Sequence, residues 1–154
     1  MLIKSTAIDF PDSPTAEDPR VYVLTTDGSE ASQLAACFLS FLVCDTDRVH
    51  IVHVTEYAKD IDPEEVLKPY ARLFRANGDN ITYNVIESMY SVTVATTVID
   101  YATSKDAHFI VMGISGYGKQ KLGSVSSRIC REARCNTIIV KDPREFSKVK
   151  TESG

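Results

Sequence analysis

The order of local patterns along the chain predicts an α/β protein with a doubly wound, five-stranded parallel sheet and helices on both faces. Three observations carry this. Short apolar runs rich in β-branched and aromatic residues recur five times. Stretches of helical period separate them. Each such stretch is long enough for the right-handed crossover that joins parallel strands.

Residues 1–20 hold three of the six prolines, Pro11, Pro14 and Pro19, without any period, and read as an irregular N-terminal arm. The first strand is expected at residues 21–24 (Val-Tyr-Val-Leu), where the folded domain starts. A helix follows over 31–42, with Leu34, Phe38 and Leu42 spaced by four and read as the stripe facing the core. The second strand covers 49–54. Asp62-Pro63-Glu64-Glu65 is a helix start, since Asp can cap, Pro is tolerated at the first position and acids face the positive end of the dipole. Asn77-Gly78 is the matching stop, and Pro69 predicts a kink or a split in between. Residues 81–86 form the third strand. Val92, Ala95, Val98, Ile99 and Ala102 form the third helical stripe, residues 109–112 the fourth strand, Val125, Ile129 and Ala133 the fourth stripe, and residues 137–140 the last strand. The domain is thus expected over 21–141, followed by a polar tail over 142–154.

Composition narrows the function. The 154 residues, 44% of them hydrophobic and 25% charged, suit one globular domain that needs neither metal nor disulfides for stability. Seventeen Lys and Arg against 21 Asp and Glu leave a net charge of -4, which disfavours nucleic acid and anionic membranes as partners. The N-terminus lacks the apolar core of a signal peptide, and Asp9, Asp12, Glu17 and Asp18 do not suit a mitochondrial leader, so a cytoplasmic location is expected. Cys37, Cys44, Cys130 and Cys135 contain no Cys-x-x-Cys and read as free, mostly buried thiols. His50, His53 and His108 fall in strand-like runs without metal spacing, so no metal site is expected.

In doubly wound sheets, ligands bind beyond the carboxyl ends of the strands where the strand order reverses, which directs attention to the loops after strands one, two and four. Four of the seven glycines, Gly113, Gly116, Gly118 and Gly123, fall within eleven residues after strand four and before a helix. Glycines let backbone N–H groups approach a ligand, and the helix start adds orphan donors and a positive dipole end, so the segment reads as an anion cradle. Lys119 and Lys121 add positive charge; a surface loop with turn glycines is the plainer alternative. Gly113, Gly118 and Lys119 also fit G-x-x-x-x-G-K, but Gln120 stands where that motif needs a hydroxyl for magnesium. After strand one, Asp27 can accept hydrogen bonds from a ribose or an adenine amine, or else Asp27 or Ser29 caps the first helix. His53-Val54 either walls a pocket or fills the core.

Together these features resemble the universal stress protein family over about residues 21–141. The carriers are Asp27-Gly28-Ser29, His53-Val54, Val111-Met112-Gly113, Gly123-Ser124-Val125-Ser126 and Cys135-Asn136-Thr137-Ile138-Ile139-Val140, the last with Asn136 in place of the usual proline. The resemblance implies a Rossmann-like or flavodoxin-like sheet of order 3-2-1-4-5 and a homodimer formed through the last strand, Thr137 to Val140. In the ATP-binding branch the glycine signature is Gly-x2-Gly-x9-Gly followed by Ser or Thr. Gly113, Gly116, Gly123 and Ser124 supply its fixed residues, but six residues separate Gly116 from Gly123 instead of nine. Position by position, the resemblance places Asp27 and Val54 at adenine and ribose with Thr25 beside them. Met112 and Gly113 would line base and sugar, and Gly116, Gly123, Ser124 and Val125 would hold phosphates, with Gly118 and Lys119 compensating for the shorter loop.

The expectation is a cytoplasmic stress-response protein that binds an adenine nucleotide, ATP with or without Mg2+, as a regulatory ligand. The shortened loop supports a second reading, a dimeric interaction module of the same fold that binds no nucleotide and presents Arg128, Arg131 and Arg134 as a solvated face or a partner surface. A slow ATP hydrolase is the third. No activated nucleophile or general base is evident, because Gly-x-Ser-x-Gly is absent and neither glycine-rich loop holds a histidine.

Overall fold

The computed structural model describes residues 18–55, 62–114 and 122–142. Most of the expected arm and tail, together with Gly116, Gly118, Lys119 and Lys121, lies outside the described residues. Five strands, β1 (Val21–Thr26), β2 (Arg48–Thr55), β3 (Ile81–Glu87), β4 (Phe109–Ile114) and β5 (Asn136–Lys141), alternate with α1 (Glu30–Leu42), α2 (Pro63–Ala71), α3 (Val94–Ser104) and α4 (Ser124–Glu132). All neighbouring strands are parallel, in the order β3-β2-β1-β4-β5 that the resemblance implied. The chain steps outward from β1 to β3 and then restarts at β4 on the other side of β1. The crevice of the sheet therefore opens at the carboxyl ends of β1 and β4.

Alternation along the strands sends side chains into two cores. Tyr22, Leu24, Ile51 and Val111 pack with Ala35, Ala36 and Leu39 of α1 and with Leu67 and Tyr70 of α2. On the opposite face Val23, Val52, Ile110 and Met112 pack with Ala95, Val98 and Ala102 of α3 and with Ile129 of α4. Burying each such aliphatic side chain contributes about 1.5–3 kcal/mol.

Several expectations need correction. The buried face of α1 is Ser32, Ala35, Ala36 and Leu39, whereas Phe38 and Leu42 of the predicted stripe are 43% and 40% exposed. Period alone allows either face. The small residues win because α1 runs close over β4, and a Cβ on Gly113 would stand 2.0 Å from the Ala31 carbonyl oxygen. Gly113 itself belongs to β4, paired with Val140, and is not a loop residue. α2 ends at Ala71, two residues past Pro69 and well before the predicted stop; a 3-10 segment, Arg75–Asn80, follows. Within it Gly78 adopts φ 53, which a residue with a Cβ rarely does, and turns the chain into β3. No disulfide joins the four cysteines, and none is fully buried: Cys44 is exposed and the other three are half-buried. His108 lies just before β4, where its Nδ1 accepts the Val21 amide at 3.0 Å.

Two polar devices close the lower end of the sheet. Asp47, 2% exposed, accepts the Arg20 and Cys44 amides at 2.9 Å each and pairs with the Arg20 guanidinium at 3.2 Å. Arg20, the last residue of the span read as the arm, is thereby tied to the chain just before β2. α3 ends in a Schellman motif, with Ala107 N–H donating to Ala102 O at 3.0 Å and Asp106 N–H to Thr103 O at 3.1 Å. Asp106 holds the left-handed position at φ 51.

Candidate functional site

At the end of β1 the chain turns sharply through Asp27-Gly28-Ser29 into α1. Gly28 has φ 79, and its amide donates to Thr26 Oγ1 at 3.2 Å. The Ser29 amide donates to Asp27 Oδ1 at 2.9 Å, and Ser29 Oγ caps α1 by accepting the Ser32 amide at 3.3 Å. Of the two candidate caps, Ser29 takes the helix. Asp27 shapes the turn and stays exposed at its edge. Partial burial pushes the Asp27 carboxyl up, but hydrogen bonding from Ser29 outweighs this and holds it below the usual carboxylate value.

Opposite this turn stands the start of α4. Its N-cap is Gly123, at φ -61 and ψ 164, with no side-chain cap. The orphan amides of the first turn therefore receive nothing from the cap residue. The absence of a side chain at Gly123, more than any unusual φ, sets it apart. Arg128 ties α4 to α3, donating to Thr93 Oγ1, the α3 cap, at 2.9 Å and to Glu132 Oε2 at 3.0 Å. This bond to Arg128 holds the Glu132 carboxyl below its usual value. Arg128 and Arg131 both pair with Glu132, and Arg134 lies beyond the helix, so the three arginines do not form one free face.

Between turn and helix lies a cavity of about 320 Å³, at the small end of the range for ligand pockets. Thr25, Asp27, Val54, Met112, Gly113, Gly123, Ser124 and Val125 all line it, which accounts for every predicted site residue within the described segments. Gly116, Gly118 and Lys119 lie outside those segments. Apolar lining comes from Val52, Val54, Val98, Met112 and Ile129, and polar groups from Thr25, Asp27, Ser124 and Ser126. Such a surface offers an apolar bed for a planar ring, an acid for hydroxyl or amine donors, and helix amides for an anion.

Sequence reading missed Thr26, Ser32, Val94 and Ser126, which also line the cavity. Val52 was legible in principle, since it lies two residues before Val54 and therefore shares its face. His53 takes neither predicted role cleanly. It does not line the cavity; it is buried, its Nδ1–H donates to Thr26 O at 2.8 Å, and its Nε2 has no hydrogen-bond partner among the described residues. Among the described residues, no cluster of three His, Cys, Asp or Glu could hold a metal, and no helix is long and apolar enough to cross a membrane.

A doubly wound parallel sheet with a cleft at its switch point defines this chain as a Rossmann-like α/β domain. More narrowly, it belongs to the universal stress protein family, whose model matches residues 20–141. A universal stress protein of Methanocaldococcus jannaschii is 26% identical over 144 residues, covering 80% of this chain and 82% of its own. Two solved structures share the fold. A universal stress protein in complex with cAMP superposes with a TM-score of 0.65 at 19% identity, over 80% of this chain and 97% of its own. A family protein of Arabidopsis thaliana with AMP bound gives 0.61 at 14%, over 82% and 94%.

Proposed function

We propose that the domain binds an adenine nucleotide in the cavity at the ends of β1 and β4, as a regulatory ligand in a cytoplasmic stress response. The observation that carries this reading is the convergence of Asp27, the apolar bed around Val54 and Met112, and the uncapped start of α4 on one cavity. Two fold relatives solved with cAMP and with AMP lend support.

In this reading Asp27, Thr25 and Val54 hold ribose and adenine, with Met112 and Gly113 beneath them. Gly123, Ser124 and Val125 face the phosphates through N–H groups and the Ser124 hydroxyl. ATP, with Mg2+ on its phosphates, is the form proposed, and Gly116, Gly118 and Lys119 belong to its phosphate loop. The proposed functional unit is 21–141, dimeric through β5. Competition of ATP, ADP and AMP against a fluorescent adenine nucleotide tests the reading: displacement by all three, with ATP strongest, is expected, and a probe that never binds the folded protein contradicts it.

The short spacing between Gly116 and Gly123 favours one other reading, an interaction module of the same fold without nucleotide. Three fewer residues remove at most about 10 Å of chain from the loop. The same competition experiment separates the two.

A further inference from the structure

A buried polar triangle joins the end of β1 to α1 and α2 beside the cavity. Thr26 Oγ1 is 3.1 Å from Ser32 Oγ, which is 3.1 Å from Tyr70 Oη, and the Thr26 and Tyr70 hydroxyls are also hydrogen-bonded to each other. All three side chains are buried, Tyr70 at 1% exposure. Tyr70 comes from α2, 44 residues away from Thr26 in sequence, and does not line the cavity. Thr26 and Ser32 do.

Counting protons shows what Tyr70 supplies. Ser32 Oγ–H donates to Ser29 O at 2.8 Å, so it can only accept from the other two hydroxyls. Thr26 Oγ1 donates to Ser32 Oγ, so the Tyr70 hydroxyl donates either to Thr26 or to Ser32. In both arrangements the Tyr70 proton is given to a residue of the turn. Thr26 Oγ1 in turn accepts the Gly28 amide, and the Thr26 carbonyl accepts His53 Nδ1–H. The two ends of the Asp27 turn, Thr26 and Ser32, are therefore fastened to α2 and β2 by groups outside the cavity.

We infer that Tyr70 is a positioning residue for the ligand site, acting through Thr26 and Ser32 to fix the turn that presents Asp27. The ligand readout of this inference rests on the nucleotide-binding reading above; the turn readout does not. Tyr70→Phe keeps the ring in its apolar core and removes only the hydroxyl. In the full chain, amide hydrogen exchange is expected to quicken at Gly28, Ser29 and Ser32 relative to core amides such as Val23 and Val111. ATP affinity is expected to fall roughly two- to tenfold, the scale of one lost hydrogen bond, and that loss should vanish in an Asp27→Ala background. Unchanged relative exchange at the three turn amides, or an equal affinity loss with and without Asp27, overturns the inference. If the parent protein binds no ATP, the nucleotide reading fails while the exchange comparison still decides the role of Tyr70. Should Tyr70→Phe not fold, Ser32→Ala breaks the same triangle from α1 and is judged by exchange at Gly28 and Ser29.

Discussion

Gly113 and Ala31 are in backbone contact: a Cβ at Gly113 would stand 2.0 Å from the Ala31 carbonyl oxygen and 2.3 Å from its carbonyl carbon. The first turn of α1 rests directly on β4, which sets the Asp27 turn beside Met112 and closes the cavity from one side. Gly113→Ala is expected to destabilise the fold by roughly 3 kcal/mol, because backbone must move to admit the methyl. Denaturant unfolding checks this. A loss of ligand in a fully stable Gly113→Ala protein would contradict the contact.

Gly123 behaves oppositely. Its φ is -61 and a Cβ would meet nothing within 4 Å among the described residues, so Gly123→Val should fold with a stability loss of about 1 kcal/mol or less, the scale of a poorer N-cap. Nucleotide affinity should nevertheless drop, since the branched side chain stands before the α4 amides. Parallel melting and binding curves separate the two effects.

Asp27→Ala should weaken nucleotide binding by about 1–3 kcal/mol, the scale of a lost charge-assisted hydrogen bond. Asp27 also predicts a pH dependence. Its folded carboxyl titrates below its ordinary value, so the native state favours the ionised form. Its contribution is complete above the unfolded carboxylate value near 3.8 and is lost as pH falls through the lowered folded value. The stability gap between parent and Asp27→Asn should be constant near neutrality and narrow only in that acid window. Acid titrations of both proteins, followed by circular dichroism, check the sign.

Asp106 holds a left-handed position that glycine adopts without strain. Asp106→Gly should raise stability by about 0.5–1 kcal/mol while leaving the cavity untouched, as measured by thermal melting and ligand titration. No gain would mean that the Asp106 side chain makes a compensating contact.

The resemblance to the universal stress protein family leads to the expectation of a homodimer through Thr137 to Val140 of β5. Light scattering should give twice the chain mass, and a monomer at high concentration would remove the β5 interface from the account.

The fold was legible because it depends on period and order. Five β-branched runs and four helical stretches specified the sheet, and the strand order followed from the family resemblance. Element faces were harder to read. Leu34, Phe38 and Leu42 looked like the core stripe of α1, yet the close approach at Gly113 selects Ser32, Ala35, Ala36 and Leu39 instead. Residues adjoining turns and helix starts in sequence, such as Asp27, Gly123 and Ser124, announced the cavity by type and position. Thr26, Ser32 and Tyr70 did not, since three hydroxyls from three elements acquire meaning only when the sheet brings them within 3.1 Å or less.

The central claim is that Asp27 and the α4 start hold an adenine nucleotide. Calorimetric titration of nucleotide-stripped protein with ATP, with and without Mg2+, then with ADP and AMP, tests it most directly. The account predicts saturable binding that weakens as phosphates are removed and is weaker by about 1–3 kcal/mol in Asp27→Ala. No heat of binding at millimolar nucleotide, from a protein shown to be folded, would contradict it.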